Sequence, residues 1–305
     1  MRKINYVYLF LYKFFTLLSK LLPKKLMDLL LLGLSKIIYR FDQKHKQIIL
    51  TNLELAFGSN LTQSQKDKIG IHTFYNMLQT IIGFMKRFGK TPQELLENVS
   101  FKNEAFVQQA IENNQKIIFM TGHYSNWELL APAIAAKFDI TLVAVGRKLD
   151  SRIMDQVLKN NREQFGVEMQ YRKGAMKGMI KALKNGKAVG LLLDQSLGEK
   201  QGGIKVDFFE KSAGHSPAAS ILSRTLGATV IPAFISTDDY QNYTVTFYEP
   251  LPIIKTEDKD EDIRLMTQAQ ADITQKVIEE KPDEWFWVHK RWKTYDQDLY
   301  EENKA

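Results

Sequence analysis

Cysteine is absent from all 305 residues. That single absence removes disulfides, thiolate metal ligands and any cysteine nucleophile. The five histidines show no metal-ligand spacing with one another or with acidic residues, so no metal is expected. No GlyxSerxGly element occurs, which argues against a serine hydrolase. Proline and glycine are sparse, at eight and seventeen. There is no internal repeat, no low-complexity tract and no linker long enough to split a core. Whole-chain disorder is excluded by a hydrophobic fraction of 44% with a charged fraction of 25%, both ordinary for a globular chain. A chain of this length can fold around one large core.

Acidic residues are scarce at the start. Residues 1–50 hold ten basic residues against Asp28 and Asp42, so the whole net charge of +7 resides there and the remainder carries a net −1. The same segment is the most apolar of the chain. Two apolar stretches, roughly 4–22 and 26–39, flank Pro23 and Lys24-Lys25. Lys13 and Lys20 interrupt the first stretch, Asp28 and Lys36 the second. A spanning helix needs about 20 mostly uncharged residues; the first stretch barely reaches that and the second falls short. Basic and bulky apolar residues together suit an anionic membrane surface better than nucleic acid. The segment 1–40 is therefore expected to be a helical membrane anchor, partly inserted or lying in the interface, with residues 41–305 forming the globular part on the cytoplasmic, positive side. A single spanning helix is the alternative, and no signal-peptide cleavage pattern is evident.

Beyond residue 40, helices are expected over 48–57, from a capping box at Thr62–Gln65 to about 88, and from Thr91-Pro92. The pattern then alternates. Strands are predicted over 117–120, 140–145, 188–193, 229–235 and 243–248. Helices fall over 127–138, 151–165, 176–184, 217–226 and 263–279. Short strands separated by helices of 10–15 residues imply β-α-β units, hence an α/β fold with a mainly parallel central sheet flanked by helices. The run 255–262, KTEDKDED, is expected to be a charged surface loop.

The chemistry concentrates in TGHYSNWE, residues 121–128. A buried strand runs into Gly122, and Ser125 with Glu128 looks like a capping box opening the next helix. His123 then sits between a strand's carboxyl end and a helix's first turn, where open α/β sheets bind ligands. From that bend its ring can fold back towards Glu128. An imidazole held by a carboxylate is the arrangement needed to take a proton from a hydroxyl nucleophile. The plain alternative is a turn histidine beside a capping glutamate. Arg147 follows the strand 140–145 and reaches the same sheet edge, suiting phosphate or a developing oxyanion. Arg172, ahead of the helix 176–184, fits a phosphate contact. Asp194 ends the strand 188–193 at that edge and could orient a basic residue, orient a substrate headgroup, or cap a turn. His215 is expected in a loop. His289 lies among Trp285, Trp287, Lys290, Arg291 and Trp292; basic and aromatic residues so interleaved can bind nucleic acid and equally suit a membrane interface or lipid headgroup, which the N-terminal segment favours.

Gly122-His123 with Glu128, Arg147, Asp194 with Gly198, Phe208-Phe209 and the run WVHKRWKT at 287–294 together resemble the bacterial lipid A late acyltransferases, the lauroyl and myristoyl transferases of lipopolysaccharide synthesis. The resemblance covers nearly the whole chain; its HisxxxxGlu element is shared with glycerolipid acyltransferases generally. It implies transfer of a fatty acyl chain from acyl carrier protein to a hydroxyacyl hydroxyl of a lipid A precursor, at the cytoplasmic face of a bacterial inner membrane. His123 would be the general base and Glu128 its orienting carboxylate, with Arg147, Arg172 and Asp194 on substrate. No cofactor is implied, and the partners would be acyl carrier protein, the lipid A precursor and membrane lipids, not nucleic acid. The chain departs from the family in two places. The family often has an Asn-Pro pair shortly after the arginine, where the run here is Arg-Lys-Leu-Asp-Ser-Arg, and its usual small-residue and threonine run after Phe208-Phe209 is replaced by EKSAGHSP. The rival readings are an acyltransferase acting on a glycerophospholipid or glycolipid, and a non-catalytic membrane-binding protein of the same fold.

Overall fold

The structure is a computed structural model and describes residues 2–301. Four helices come first: α1 (Arg2–Leu21), α2 (Lys24–Phe41), α3 (Gln43–Phe57) and α4 (Gln63–Arg87). Pro23 breaks α1 from α2, and the expected Thr62–Gln65 capping box opens α4. α2 lies along α4, where Gly70 lets the Tyr39 ring sit against the α4 backbone and bond Asp67 through its hydroxyl at 2.6 Å.

The remaining elements alternate. They are α5 (Pro92–Leu96), β1 (Val99–Lys102), α6 (Ala105–Glu112), β2 (Ile117–Thr121), α7 (Trp127–Phe138), β3 (Leu142–Gly146), α8 (Arg152–Arg162), β4 (Val167–Tyr171), α9 (Ala175–Lys184) and β5 (Ala188–Leu192). After these come β6 (Ile204–Phe208), β7 (Lys211–His215), α10 (Ala218–Leu226), β8 (Thr229–Thr237), β9 (Tyr243–Phe247) and α11 (Lys259–Glu280). Seven strands form one sheet in the order β1-β9-β8-β2-β5-β3-β4. The five from β8 to β4 are parallel, and β9 pairs antiparallel to β8. The mainly parallel α/β core is thus as the alternation predicted. Every residue of β2 is buried, as a central parallel strand covered on both faces requires.

Several local expectations are corrected. The edge strands β1 and β4 and the hairpin β6–β7 were not anticipated, because short strands mixing Lys, Glu, Ser and Gly carry little apolar signal. His215 is not a loop residue: it closes β7 and is 1% exposed. The run 255–262 is not wholly surface loop, since α11 begins at Lys259 and Asp262 is buried against Arg224 at 2.7 Å. Ser125 does not cap α7. It takes a left-handed φ of 48°, Asn126 precedes the helix, and α7 has no side-chain cap.

No helix among the described residues is long and apolar enough to cross a membrane. α1 and α2 are amphipathic instead, with Phe10, Phe14, Leu17 and Leu21 exposed on one and Leu26, Leu30, Leu34, Ile37 and Phe41 on the other. These positions recur at three- and four-residue steps, so each set forms a stripe along one helix face.

Candidate active site

The site is set by strand register. β2 and β5 are neighbours, with Thr121 opposite Leu192. Two residues further along each chain stand His123 and Asp194, on adjacent strand ends about 4.8 Å apart. Asp194 is 4% exposed and accepts from three groups. Its Oδ1 lies 2.8 Å from His123 Nδ1. Its Oδ2 accepts the His123 backbone N–H at 2.8 Å and the Trp285 indole N–H at 2.9 Å. Gly122 gives Asp194 room, since a Cβ at that position would lie 3.1 Å from the Asp194 side chain, closer than ordinary contact. Burial alone would raise the Asp194 carboxyl. The charge and hydrogen bonds of His123 and the two N–H donors outweigh it and hold the group well below the ordinary carboxylate range. An ionised Asp194 accepts from Nδ1–H, so the neutral ring keeps its lone pair on Nε2, the end away from the buried carboxylate.

The carboxylate beside the imidazole is therefore Asp194 and not Glu128, as the sequence had suggested. Glu128, in the first turn of α7, is gripped by both ends of the Arg162 guanidinium, with Arg162 Nε at 3.0 Å from Oε2 and Nη2 on Oε1. Pro132 explains a second contact there. Lacking an N–H, it cannot bond the Glu128 carbonyl four residues back. The buried Arg87 guanidinium donates to that oxygen instead, and Asn161 accepts from the same guanidinium at 2.9 and 3.2 Å. Burial pushes Arg87 down to about 10, so it stays cationic.

His123, Glu128, Arg147 and Arg172 all line one cleft of about 750 Å³. Arg147 and Arg172 emerge side by side from the ends of β3 and β4, where the Arg172 N–H bonds the Gly146 carbonyl at 3.1 Å. Both are exposed. Arg162 and Lys293 add two further cations, and among the described residues Glu128 is the one acidic residue in the lining. Between α7 and the sheet the lining is apolar and mostly small: Ala131, Pro132, Ala144, Gly146, Val167 and Met169. Leu192 stays 36% exposed at the end of β5 although it ends a central strand. A second cavity of about 290 Å³ between α2, α4 and α5 has no histidine in its lining.

The chain's last described segment secures both halves of the pair. On the β2 side, the Phe286 N–H bonds the His123 carbonyl at 3.0 Å and the Glu284 carbonyl accepts the Ser125 N–H at 2.8 Å. On the β5 side, Trp285 holds Asp194, the His289 Nε2 accepts the Ser196 N–H at 3.0 Å, and Thr294 Oγ1 meets Ser196 Oγ at 2.8 Å. Asn52 of α3 ties this segment down through the carbonyls of Trp287 and His289. The aromatics expected at a membrane interface, Trp285, Trp287 and Trp292, are buried instead, at 2% exposure or less. Trp285, Arg162 and His289 were not assigned to the site from sequence, because each acts through contacts remote along the chain.

A half-buried imidazole held by a buried carboxylate at the carboxyl edge of a parallel sheet, facing a cleft lined by cations and aliphatic side chains, can deprotonate an alcohol. Residues 1–294 match the family model of the bacterial lipid A biosynthesis acyltransferases, and the chain belongs to that family. It is an acyltransferase. It is 23% identical over 276 residues to the lipid A biosynthesis myristoyltransferase of Escherichia coli (strain K12), covering 90% of this chain and 83% of that one. It is 23% identical over 266 residues to the lauroyltransferase of the same strain, covering 86% and 83%. It is 22% identical over 292 residues to a lipid A biosynthesis acyltransferase of Haemophilus influenzae, covering 94% and 89%.

Glu284 gives the site a pH dependence. Burial raises its carboxyl to about 7, against the Thr237 N–H and Lys281 that favour its charge. A raised folded-state value means the native protein holds the proton more tightly than the unfolded chain. This contribution to stability is complete below the ordinary glutamate range and is lost as pH rises through 7. Urea denaturation is expected to give a lower unfolding free energy at pH 8.5 than at pH 6, and Glu284→Gln should flatten that slope.

Proposed function

We propose that the protein transfers a fatty acyl chain from acyl carrier protein to a hydroxyl of a hydroxyacyl chain on a lipid A precursor, at the cytoplasmic face of a bacterial inner membrane. The observation that carries this reading is the His123–Asp194 pair, with His123 in the lining of a cleft that combines cationic and aliphatic side chains. A phosphorylated acceptor suits Arg147 and Arg172, and an acyl chain suits the slot between α7 and the sheet.

In this mechanism His123 Nε2 removes the acceptor hydroxyl's proton as its oxygen attacks the thioester carbon. The carbonyl electron pair moves onto oxygen. Collapse of that adduct forms the ester, breaks the C–S bond and expels a thiolate, which takes the proton back from the imidazolium. Asp194 fixes the ring's tautomer and balances the imidazolium charge. Glu128 acts on Arg162 rather than on His123, holding that guanidinium in the cleft wall. No acyl-enzyme is needed, and no cysteine exists to form one.

The exposed apolar stripes of α1 and α2, in a basic segment, suit a helical hairpin lying in the surface of an anionic bilayer. Residues 1–40 are then the anchor and the rest the acyltransferase part, with lipid substrate delivered from the bilayer.

Purified protein supplied with acyl carrier protein thioester and lipid A precursor should yield the acylated product by mass spectrometry. Product with a glycerophospholipid or glycolipid acceptor alone would contradict the assignment. His123→Ala should abolish turnover, and Asp194→Asn should lower kcat by roughly 10³–10⁴ through the wrong tautomer, with melting temperature monitored in both. In sedimentation with vesicles containing anionic lipid, Phe10→Ser with Phe14→Ser should weaken binding about tenfold or more; unchanged binding would exclude this face.

A further inference from the structure

A base at His123 leaves the reaction's other demand open. When the hydroxyl oxygen adds to the thioester, negative charge gathers on the carbonyl oxygen, and a fixed donor there is worth more than solvent. The cations of the cleft serve this poorly. Arg162 is already paired with Glu128, and Arg147, Arg172 and Lys293 are exposed.

His289 meets the need by its bonding. It lines the same cleft as His123. Its Nε2 lies 3.0 Å from the backbone nitrogen of Ser196, two residues beyond Asp194. A backbone N–H can only donate, so Nε2 carries a lone pair and the neutral ring's single proton is on Nδ1. Burial pushes this imidazole down to about 4, so the ring stays neutral at working pH. Its backbone is held as well, because Asn52 Nδ2 donates to the His289 carbonyl at 2.8 Å. The cleft therefore contains two imidazoles in complementary roles. The Nδ1–H of His123 is spent on Asp194, leaving Nε2 with its lone pair, whereas the lone pair of His289 is spent on Ser196 and its Nδ1–H has no hydrogen-bond partner among the described residues.

Resting on the acyl-transfer reading above, we infer that His289 is a second catalytic residue, whose Nδ1–H donates to the thioester carbonyl oxygen as that oxygen becomes negative. The electron pair arrives on oxygen when the new C–O bond forms and returns when the C–S bond breaks. The proton stays on His289 throughout, and His123 alone carries the hydroxyl proton to the departing sulfur. The donor is a neutral imidazole, so it stabilises charge without protonating the adduct.

Two substitutions separate this role from a structural one. In His289→Gln a side-chain carbonyl can reach the Ser196 N–H, but no donor remains near the Nδ1 position. In His289→Asn an amide N–H stands near the Nδ1 position, but the bond to Ser196 is lost. With acyl carrier protein thioester and lipid A precursor, Gln should lower kcat about 10²–10³-fold with KM and melting temperature nearly unchanged, and Asn should recover at least tenfold of that loss. The opposite order, Gln active and Asn inactive, would show that His289 only props the Ser196 turn and would overturn the inference. Wild-type turnover in both variants would overturn it too, while leaving the His123–Asp194 reading intact. Absence of product from the unsubstituted protein would overturn both. Independently of activity, ¹H–¹⁵N correlation spectra at pH 7 should show His289 neutral with its proton on Nδ1, and an Nε2–H tautomer would contradict the proposal.

Discussion

The site depends on the register between β2 and β5. Parallel neighbours run in step, so the residue two beyond Thr121 meets the residue two beyond Leu192. That alignment brings an imidazole and a carboxylate from positions 71 residues apart in the chain to 2.8 Å. It also puts them where backbone pairing ends and side chains face open space, at the carboxyl edge of the sheet. A slip of one residue would turn Asp194 to the other face of the sheet, away from the ring.

Register alone does not hold a buried carboxylate. Its charge must be matched by donors, since an unpaired ion in the interior is costly. Three donors reach Asp194, and one of them, the Trp285 indole, comes from a segment that also bonds the His123 carbonyl. That segment sits in a nest of buried aromatics, Trp287 and Trp292 with Phe208 and Phe209, and is anchored to α3 through Asn52. The tryptophans that looked like interfacial residues are thus structural. The left-handed Ser125 beside the site is kept in place from both directions, by Glu284 on its N–H and Thr80 on its carbonyl.

How much of this was legible in the sequence follows from the range of each interaction. Local pattern sufficed for most of the alternation of strands and helices, for the bend carrying His123, and for the sheet edge carrying Arg147 and Asp194; Arg172 was legible only as a residue ahead of a helix, because β4, which brings it to that edge, carries little apolar signal. Pairing was not legible, because strand order is not written in any short window. Asp194 was visible as a strand-end carboxylate that could orient a base, but nothing local made β5 the neighbour of β2. Glu128 looked like the partner because it was five residues away, and spacing is what a sequence displays. Arg162, which claims Glu128, comes from another helix 34 residues later. Pro132 did hold a usable signal: a proline in the second turn frees the Glu128 carbonyl, so a buried donor had to exist, and Arg87 is that donor.

The most direct test of this account is the ¹H NMR signal of the His123 Nδ1 proton. Bonded to a buried, ionised Asp194, it should be shifted far downfield and slow to exchange; it should persist in Glu128→Gln and vanish in Asp194→Asn. A signal that survives loss of Asp194 and disappears with Glu128 would contradict the pairing on which the proposed chemistry rests.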